Sequence, residues 1–113
     1  MSYHLRFSKR AVRDIDQVLI YTLEHFGRRK QEEYRALIRT ALADIAANPF
    51  AARAKSLPGL HPHVRVLSIA RARKPARHFF IYRVVADQSV DIGRLLHDAM
   101  DLYRHLPEGF EAQ

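Results

Sequence analysis

The chain has 113 residues, of which 48% are hydrophobic, and its formal net charge at pH 7 is +7. This apolar fraction supports a packed core and excludes an intrinsically disordered chain. The sequence contains no cysteine, which excludes disulfides and thiolate metal sites. No run approaches the roughly 20 apolar residues of a membrane-spanning helix, and the first residues lack the apolar segment of a signal peptide. We therefore expect one domain over residues 1–113, located in the cytoplasm and not associated with a membrane.

The N-terminal part is predicted to form a strand followed by two helices. Residues 4–7 alternate polar and apolar side chains, which is typical of a short edge strand. Ser8 is a suitable helix N-cap. Gly27 is a helix C-cap signal, and a second helix then runs to Asn48, where the following proline stops it. Two helices joined by so short a connection predict an antiparallel α-hairpin. The apolar face predicted for the first helix comprises Val12, Ile15, Val18, Leu19, Thr22, Leu23 and Phe26.

The C-terminal part is predicted to form three strands and a short helix. Residues 64–69 and 77–85 are rich in β-branched and aromatic side chains. A short turn follows the second of these strands, and residues 89–96 form the third, so the last two strands make a hairpin. Alternation places Phe80, Tyr82 and Val84 on one face of the middle strand and Phe79, Ile81 and Arg83 on the other. Residues 97–106 have the pattern of a short helix.

These elements predict an α+β fold with the order β-α-α-β-β-β and a short C-terminal helix. The last three strands form an antiparallel meander. The α-hairpin covers one face of this meander. We expect the opposite face to be open, with basic side chains around it.

The basic residues are concentrated in one part of the chain. There is no acidic residue between Asp44 and Asp87, so this part should project a positive field. The field predicts either a solvated basic face or a surface for an anionic partner, such as nucleic acid or an acidic protein segment. Arginine suits the bidentate binding of carboxylates and phosphates. The predicted partner-binding surface comprises Arg65, Arg71, Arg73, Arg77 and Arg83.

Sites for metals and cofactors have little support. His61 and His63 have no third or fourth ligand at a suitable spacing, so we expect no metal site. No phosphate-binding loop or dinucleotide fingerprint is present, and we expect no cofactor. His97 and Asp101 would share a helix face, and a structural role for this pair is favoured over proton transfer.

We expect no catalytic residues. If the chain were an enzyme, general acid–base chemistry would need histidines and a cationic side chain that stabilises the transition state. The only such set in the sequence is His78, Tyr82, Arg83 and His97.

A recognisable pattern is formed by residues 11–15, Tyr21, 47–49, 80–84 and 95–101 with 105–106. In these residues the chain resembles the ParE branch of the RelE/ParE superfamily of bacterial type II toxin–antitoxin toxins. The resemblance covers nearly the whole chain, and the expected RelE/ParE-like fold agrees with the element order above. The family-motif residues singled out by this resemblance are Tyr82, His97, Met100 and Asp101.

The resemblance implies a toxin that is neutralised by a cognate antitoxin with an acidic C-terminal segment, in a hetero-oligomeric complex. It also implies that the toxin inhibits DNA gyrase by binding to it. The alternatives are a RelE-like ribosome-dependent mRNA endonuclease or a non-toxic relative that binds only an antitoxin. Phe79 and Ala99 stand where the resemblance places catalytic basic residues of RelE-like nucleases, which favours the ParE-like reading.

Overall fold

The computed structural model describes residues 2–112. A four-stranded sheet is covered on one face by a long, broken helix, which confirms the predicted α+β class. The elements in chain order are β1 (His4–Phe7), α1 (Lys9–Ala47), β2 (Val64–Ser68), β3 (His78–Val85), β4 (Ser89–His97) and a 3-10 helix, Leu102–Arg104. The strand order is β1-β4-β3-β2, with β2, β3 and β4 antiparallel and β1 parallel to β4 at the edge. Within the described residues, no helical segment has both the length and the hydrophobicity that a membrane span requires.

Gly27 divides α1 into two arms, residues 9–26 and residues 28–47. Its backbone has φ 88° and ψ 175°, a conformation that a side chain would strain, so the helix turns there. Gln31 Nε2 donates to the carbonyl of Leu19 at 3.0 Å across this turn. The arms therefore lie side by side, as the α-hairpin prediction requires.

The main core lies between the arms of α1 and the sheet. Phe80 and Tyr82 of β3 are fully buried there, beside Ile92 and Leu95 of β4. The predicted division of the middle strand into two faces is therefore confirmed. From the second arm of α1, Leu37, Ile38, Ala41 and Ile45 complete this core.

The face predicted for the first arm was partly wrong. Val12, Leu23 and Phe26 are 47%, 42% and 64% exposed. Leu19 and Thr22 of the predicted face are buried, and Ile15 and Val18 pack against the core. The buried stripe also includes the acidic Asp14, which can lie there because it pairs with a buried arginine of the sheet, Arg94.

The opposite face of the sheet is not open, which corrects a second prediction. Ile81 and Leu96 on this face pack against Leu60, Leu102 and Phe110. The loop after α1 and the C-terminal segment thus cover the face that was expected to be basic and exposed. Burying these apolar side chains removes them from water, which the open arrangement would not do.

The predicted C-terminal helix over residues 97–106 is mostly absent. β4 continues to His97, and only Leu102–Arg104 forms a 3-10 turn. Asp101 caps this turn by accepting from the backbone N–H of Tyr103 at 3.1 Å. The segment is short and irregular because it must bring Leu102 and Phe110 onto the sheet.

Candidate partner-binding groove

A groove of about 570 Å³ lies where the arms of α1 meet the turn between β2 and β3. Tyr21 and Phe26 of the first arm form one wall and are 56% and 64% exposed. Tyr34 and His78 lie within the groove lining. The groove combines apolar walls with four basic side chains and one carboxylate, that of Glu33, which pairs with Lys30 at 3.3 Å. The basic side chains are Lys30, Arg73, Lys74 and Arg77.

The basic rim is held by a tight turn between β2 and β3. Arg71 and Lys74 exchange two backbone hydrogen bonds, of 3.0 and 2.8 Å. Arg73 lies inside this turn with φ 65°, in the left-handed region. Within residues 2–112, no carboxylate oxygen lies within 4.0 Å of the charged groups of Arg73 or Lys74. These two cations are available to an anionic partner.

The polar groups beneath the rim are neutral at physiological pH. Tyr34 Oη and His78 Nδ1 share a hydrogen bond of 2.5 Å, and Tyr34 Oη also accepts from the backbone N–H of Arg77 at 3.3 Å. Burial, with a smaller contribution from His97, lowers the pKa of His78 to about 4. Burial also raises the pKa of Tyr34 above its ordinary value. The positive charge of the groove is therefore carried by its rim.

His97 lies beside His78, with ring centroids 5.1 Å apart. Its Nδ1 accepts from the backbone N–H of Ala99 at 3.0 Å. The predicted pairing of His97 with Asp101 is wrong, because His97 ends β4 while Asp101 caps the following turn. Asp98 instead pairs with Arg77 at 3.0 Å, and this hydrogen-bonded pair lowers the pKa of Asp98.

The alternative catalytic set is not assembled at one place. His78 and His97 are neighbours in the groove. Tyr82 is fully buried in the core, where its hydroxyl donates to the carbonyl of Pro49 at 2.8 Å. Burial raises its pKa to about 12, so it remains a phenol. Arg83 lies on the opposite face of the sheet and donates to the carbonyl of Gly109 at 2.8 Å.

The five arginines of the predicted basic surface are divided among three places. Arg73 and Arg77 line the groove. Arg71 lies beside it but pairs with Asp44. Arg65 lies opposite Tyr82 in the β2–β3 ladder, and Arg83 follows Tyr82 on the other face. The acid-free span therefore does not form one continuous surface.

Several residues of the groove were not anticipated from the sequence. Tyr21 belonged to the family resemblance, Phe26 was assigned to the buried helical face, and Lys30 and Tyr34 had no predicted binding role. The sequence signal that could have indicated an exposed site is their position close to Gly27, because apolar residues near the turn of an α-hairpin can remain uncovered by the sheet. Of the family-motif residues, His97 lines the groove, whereas Met100 is not part of the lining and is 37% exposed.

The described residues contain no group of three or more histidine, aspartate or glutamate side chains arranged to hold a metal ion. The two histidines of the loop before β2, His61 and His63, are joined by one hydrogen bond. His61 Nδ1 accepts from the backbone N–H of His63 at 3.0 Å. That geometry is typical of a loop connection.

Comparison with known proteins gives a consistent result. Residues 5–102 match the family model described as the ParE toxin of the type II toxin–antitoxin system parDE. Toxin ParE1 of Mycobacterium tuberculosis is 29% identical over 106 residues, which cover 94% of this chain and 100% of the relative.

Two solved structures have a similar fold. One is from a chromosomal ParDE toxin–antitoxin system of P. aeruginosa, with a TM-score of 0.62 and 22% identity, covering 84% of this chain and 95% of that one. The other is from the toxin–antitoxin complex RelBE2 of Mycobacterium tuberculosis, with a TM-score of 0.56 and 19% identity, covering 86% and 99%. These similarities show a shared architecture.

Proposed function

Because the chain belongs to the ParE toxin family of type II toxin–antitoxin systems, we propose that an antitoxin neutralises it by placing an acidic segment in the groove described above. The observation that carries this proposal is the unpaired basic rim of Arg73 and Lys74 beside the exposed rings of Tyr21 and Phe26. The two structural relatives come from toxin–antitoxin systems, which supports a protein partner in a hetero-oligomeric complex.

The groove suits an amphipathic acidic segment for two physical reasons. Carboxylates of the segment would pair with Arg73 and Lys74 and would be attracted from a distance by the rim. Its apolar side chains would cover Tyr21 and Phe26, and exposed apolar patches of this kind mark interaction sites. Arginine and aromatic residues, which occur together in this groove, are enriched in protein interfaces relative to the rest of the protein surface.

The test is to measure affinity for the protein encoded by the adjacent reading frame, across a range of salt concentrations. We expect the double variant Arg73→Glu and Lys74→Glu to bind at least about tenfold more weakly, since two attractive contacts become repulsive. Its affinity should also depend less steeply on salt.

Arg10→Glu is the matched control for this experiment. It reverses one positive charge on the first arm, roughly 24 Å along the helix from Phe26. This variant should bind the antitoxin with an affinity within about twofold of the parent chain. Equal affinities of the double variant and Arg10→Glu would exclude the groove as the binding site.

For the toxic action, the family resemblance implies binding to DNA gyrase in the cytoplasm. The separation of Tyr82 and Arg83 from His78 and His97 supports action by binding over catalysis. Gyrase supercoiling assays with the purified chain in stoichiometric excess test the target, and absence of inhibition would reject it.

Separate experiments test the two alternative functions, an mRNA endonuclease and a non-toxic relative. Cuts at codon positions in translated mRNA, mapped by primer extension and abolished by His97→Ala, would support the ribosome-dependent endonuclease. Normal growth on expression without the antitoxin would support a non-toxic antitoxin-binding relative.

A further inference from the structure

Arg83 has unused hydrogen-bonding capacity in a partly buried position. Its Nη1 donates to the carbonyl of Gly109, but its buried Nε has no acceptor. No carboxylate oxygen within residues 2–112 lies within 4.0 Å of its guanidinium. A buried N–H of a guanidinium that lacks an acceptor is costly, so this arrangement is suited to an anion supplied from outside the described chain.

His61 adds a second donor at the same place. Its Nδ1 accepts the backbone N–H of His63 at 3.0 Å, and a neutral imidazole carries its single proton on the other nitrogen. That nitrogen, Nε2, lies 3.4 Å from Arg83 Nη2. Two N–H donors therefore face each other, and an oxyanion beside them would accept from both.

These donors line a pocket of about 400 Å³ formed by Leu60, His61, Pro62, Arg83, Gly109 and Ala112. We propose that this pocket is a carboxylate-binding site, in which His61 Nε2–H and the Arg83 guanidinium bind one carboxylate of a protein ligand. The site offers one permanent positive charge and one neutral imidazole. This balance fits a monoanionic carboxylate better than a phosphate dianion.

The pocket is separate from the groove that we assign to the antitoxin. Arg83 is five residues from His78 along β3, about 16 Å at strand spacing, and lies on the opposite face of the sheet. A carboxylate can therefore bind in this pocket whichever antitoxin or toxic target the chain has.

Nuclear magnetic resonance titration of the full chain with sodium acetate, at constant ionic strength balanced by chloride, tests the site. We expect saturable shifts of the His61 ring and Arg83 Nε–H signals. The pKa of free His61 is lowered by partial burial and by the neighbouring Arg83 and His63. Bound acetate should raise that pKa, because a nearby anion favours the imidazolium form.

Two substitutions of His61 separate the donor from the fold. His61→Asn retains an acceptor near the Nδ1 position for the His63 N–H but removes the Nε2 donor. We expect it to weaken acetate binding about tenfold, the effect of losing one hydrogen bond to a charged group. His61→Gln places an amide donor near the Nε2 position and should bind within about threefold of the parent chain. Arg10→Gln removes a distant exposed charge and should leave acetate binding unchanged.

The outcomes separate the possible ligands. Saturation by inorganic phosphate at lower concentration than acetate would overturn the carboxylate assignment. Equal shifts with acetate and chloride, or unchanged acetate binding in His61→Asn, would overturn the site itself. Titration with N-acetylglycine and with the α-amide of N-acetylglutamate then distinguishes a chain-terminal carboxylate from an acidic side chain, and saturable binding of either supports the proposal.

Discussion

Asp14 and Arg94 form a buried ion pair that fastens the first arm of α1 to β4. Their side chains are each 10% exposed, with Arg94 Nε 2.7 Å from Asp14 Oδ2 and Nη2 3.1 Å from Oδ1. Asp14 also accepts from the backbone N–H of Leu95 at 3.0 Å. Three hydrogen bonds thus converge on one carboxylate. The pair defines where the helix meets the strand and explains why an acidic residue lies in the buried stripe of the helix.

We predict that Asp14→Leu lowers the free energy of unfolding by about 3–5 kcal/mol, because it leaves the buried guanidinium of Arg94 without a partner. Urea denaturation measures the change. The double variant Asp14→Leu and Arg94→Met should recover most of the loss, since an apolar pair can replace a buried ion pair. A double variant that is less stable than Asp14→Leu alone would contradict this account.

At the scale of elements, Gly93 allows the C-terminal segment to lie against the sheet. It is the extra residue of β4 at a register shift, since Ile81 pairs with Arg94 and Tyr82 with Ile92. A methyl group at Gly93 would lie 2.6 Å from Pro107 Cγ and 2.9 Å from the Phe110 ring. The absence of a side chain there permits the close packing of the covered face.

We predict that Gly93→Ala lowers the free energy of unfolding by about 1–3 kcal/mol, the usual cost of overpacking a core. Urea denaturation of the single variant tests this. In a Phe110→Ala background the same substitution should cost less, because the ring that the methyl would contact is gone. An equal cost in both backgrounds would show that Phe110 is not the residue that resists the methyl group.

The elements differ in how far local sequence determines them. Alternation in 79–84 predicted the two faces of β3, because side-chain direction in a strand follows from position alone. The cover over Ile81 and Leu96 was not predictable in this way. It depends on Phe110, which is distant in sequence and has no local pattern that reveals its contact. Asp14 was missed for the same reason, since its partner is 80 residues away.

The candidate site shows the same limit. The acid-free span indicated a basic surface, but charge counting does not reveal which arginines are already paired. Asp44 precedes the span and yet pairs with both Arg53 and Arg71 inside it. Only the fold shows that Arg73 and Lys74 lie beside the tip of the α-hairpin with no carboxylate oxygen within 4.0 Å, although Glu33 lines the same groove.

For the whole molecule, the net charge of +7 is less informative than the distribution of exposed groups. One end carries the groove with its basic rim and aromatic wall. The far end of β3 carries the pocket at Arg83, on the other face of the sheet. Two separate anion-accepting sites on one small basic domain would allow an acidic partner to contact both faces of the sheet.

The exposed aromatic wall of the groove gives the last prediction. Phe26 is 64% exposed, so Phe26→Ser should change the free energy of unfolding by less than about 0.5 kcal/mol, as is usual for surface substitutions. The same variant should bind the antitoxin at least about tenfold more weakly, because an aromatic anchor at an interface contributes strongly to affinity. Calorimetric titration and urea denaturation of one preparation measure both quantities.

Ile20→Ser is the matched control for Phe26→Ser. Ile20 is 55% exposed on the same arm but does not line the groove. The Ile20→Ser substitution removes a comparable apolar side chain from the exposed surface of the helix. It should therefore leave both the free energy of unfolding and the affinity for the antitoxin nearly unchanged. Equal losses of affinity in the two variants would mean that the antitoxin contacts the outer surface of the arm, and the partner site would have to be moved from the groove to that surface.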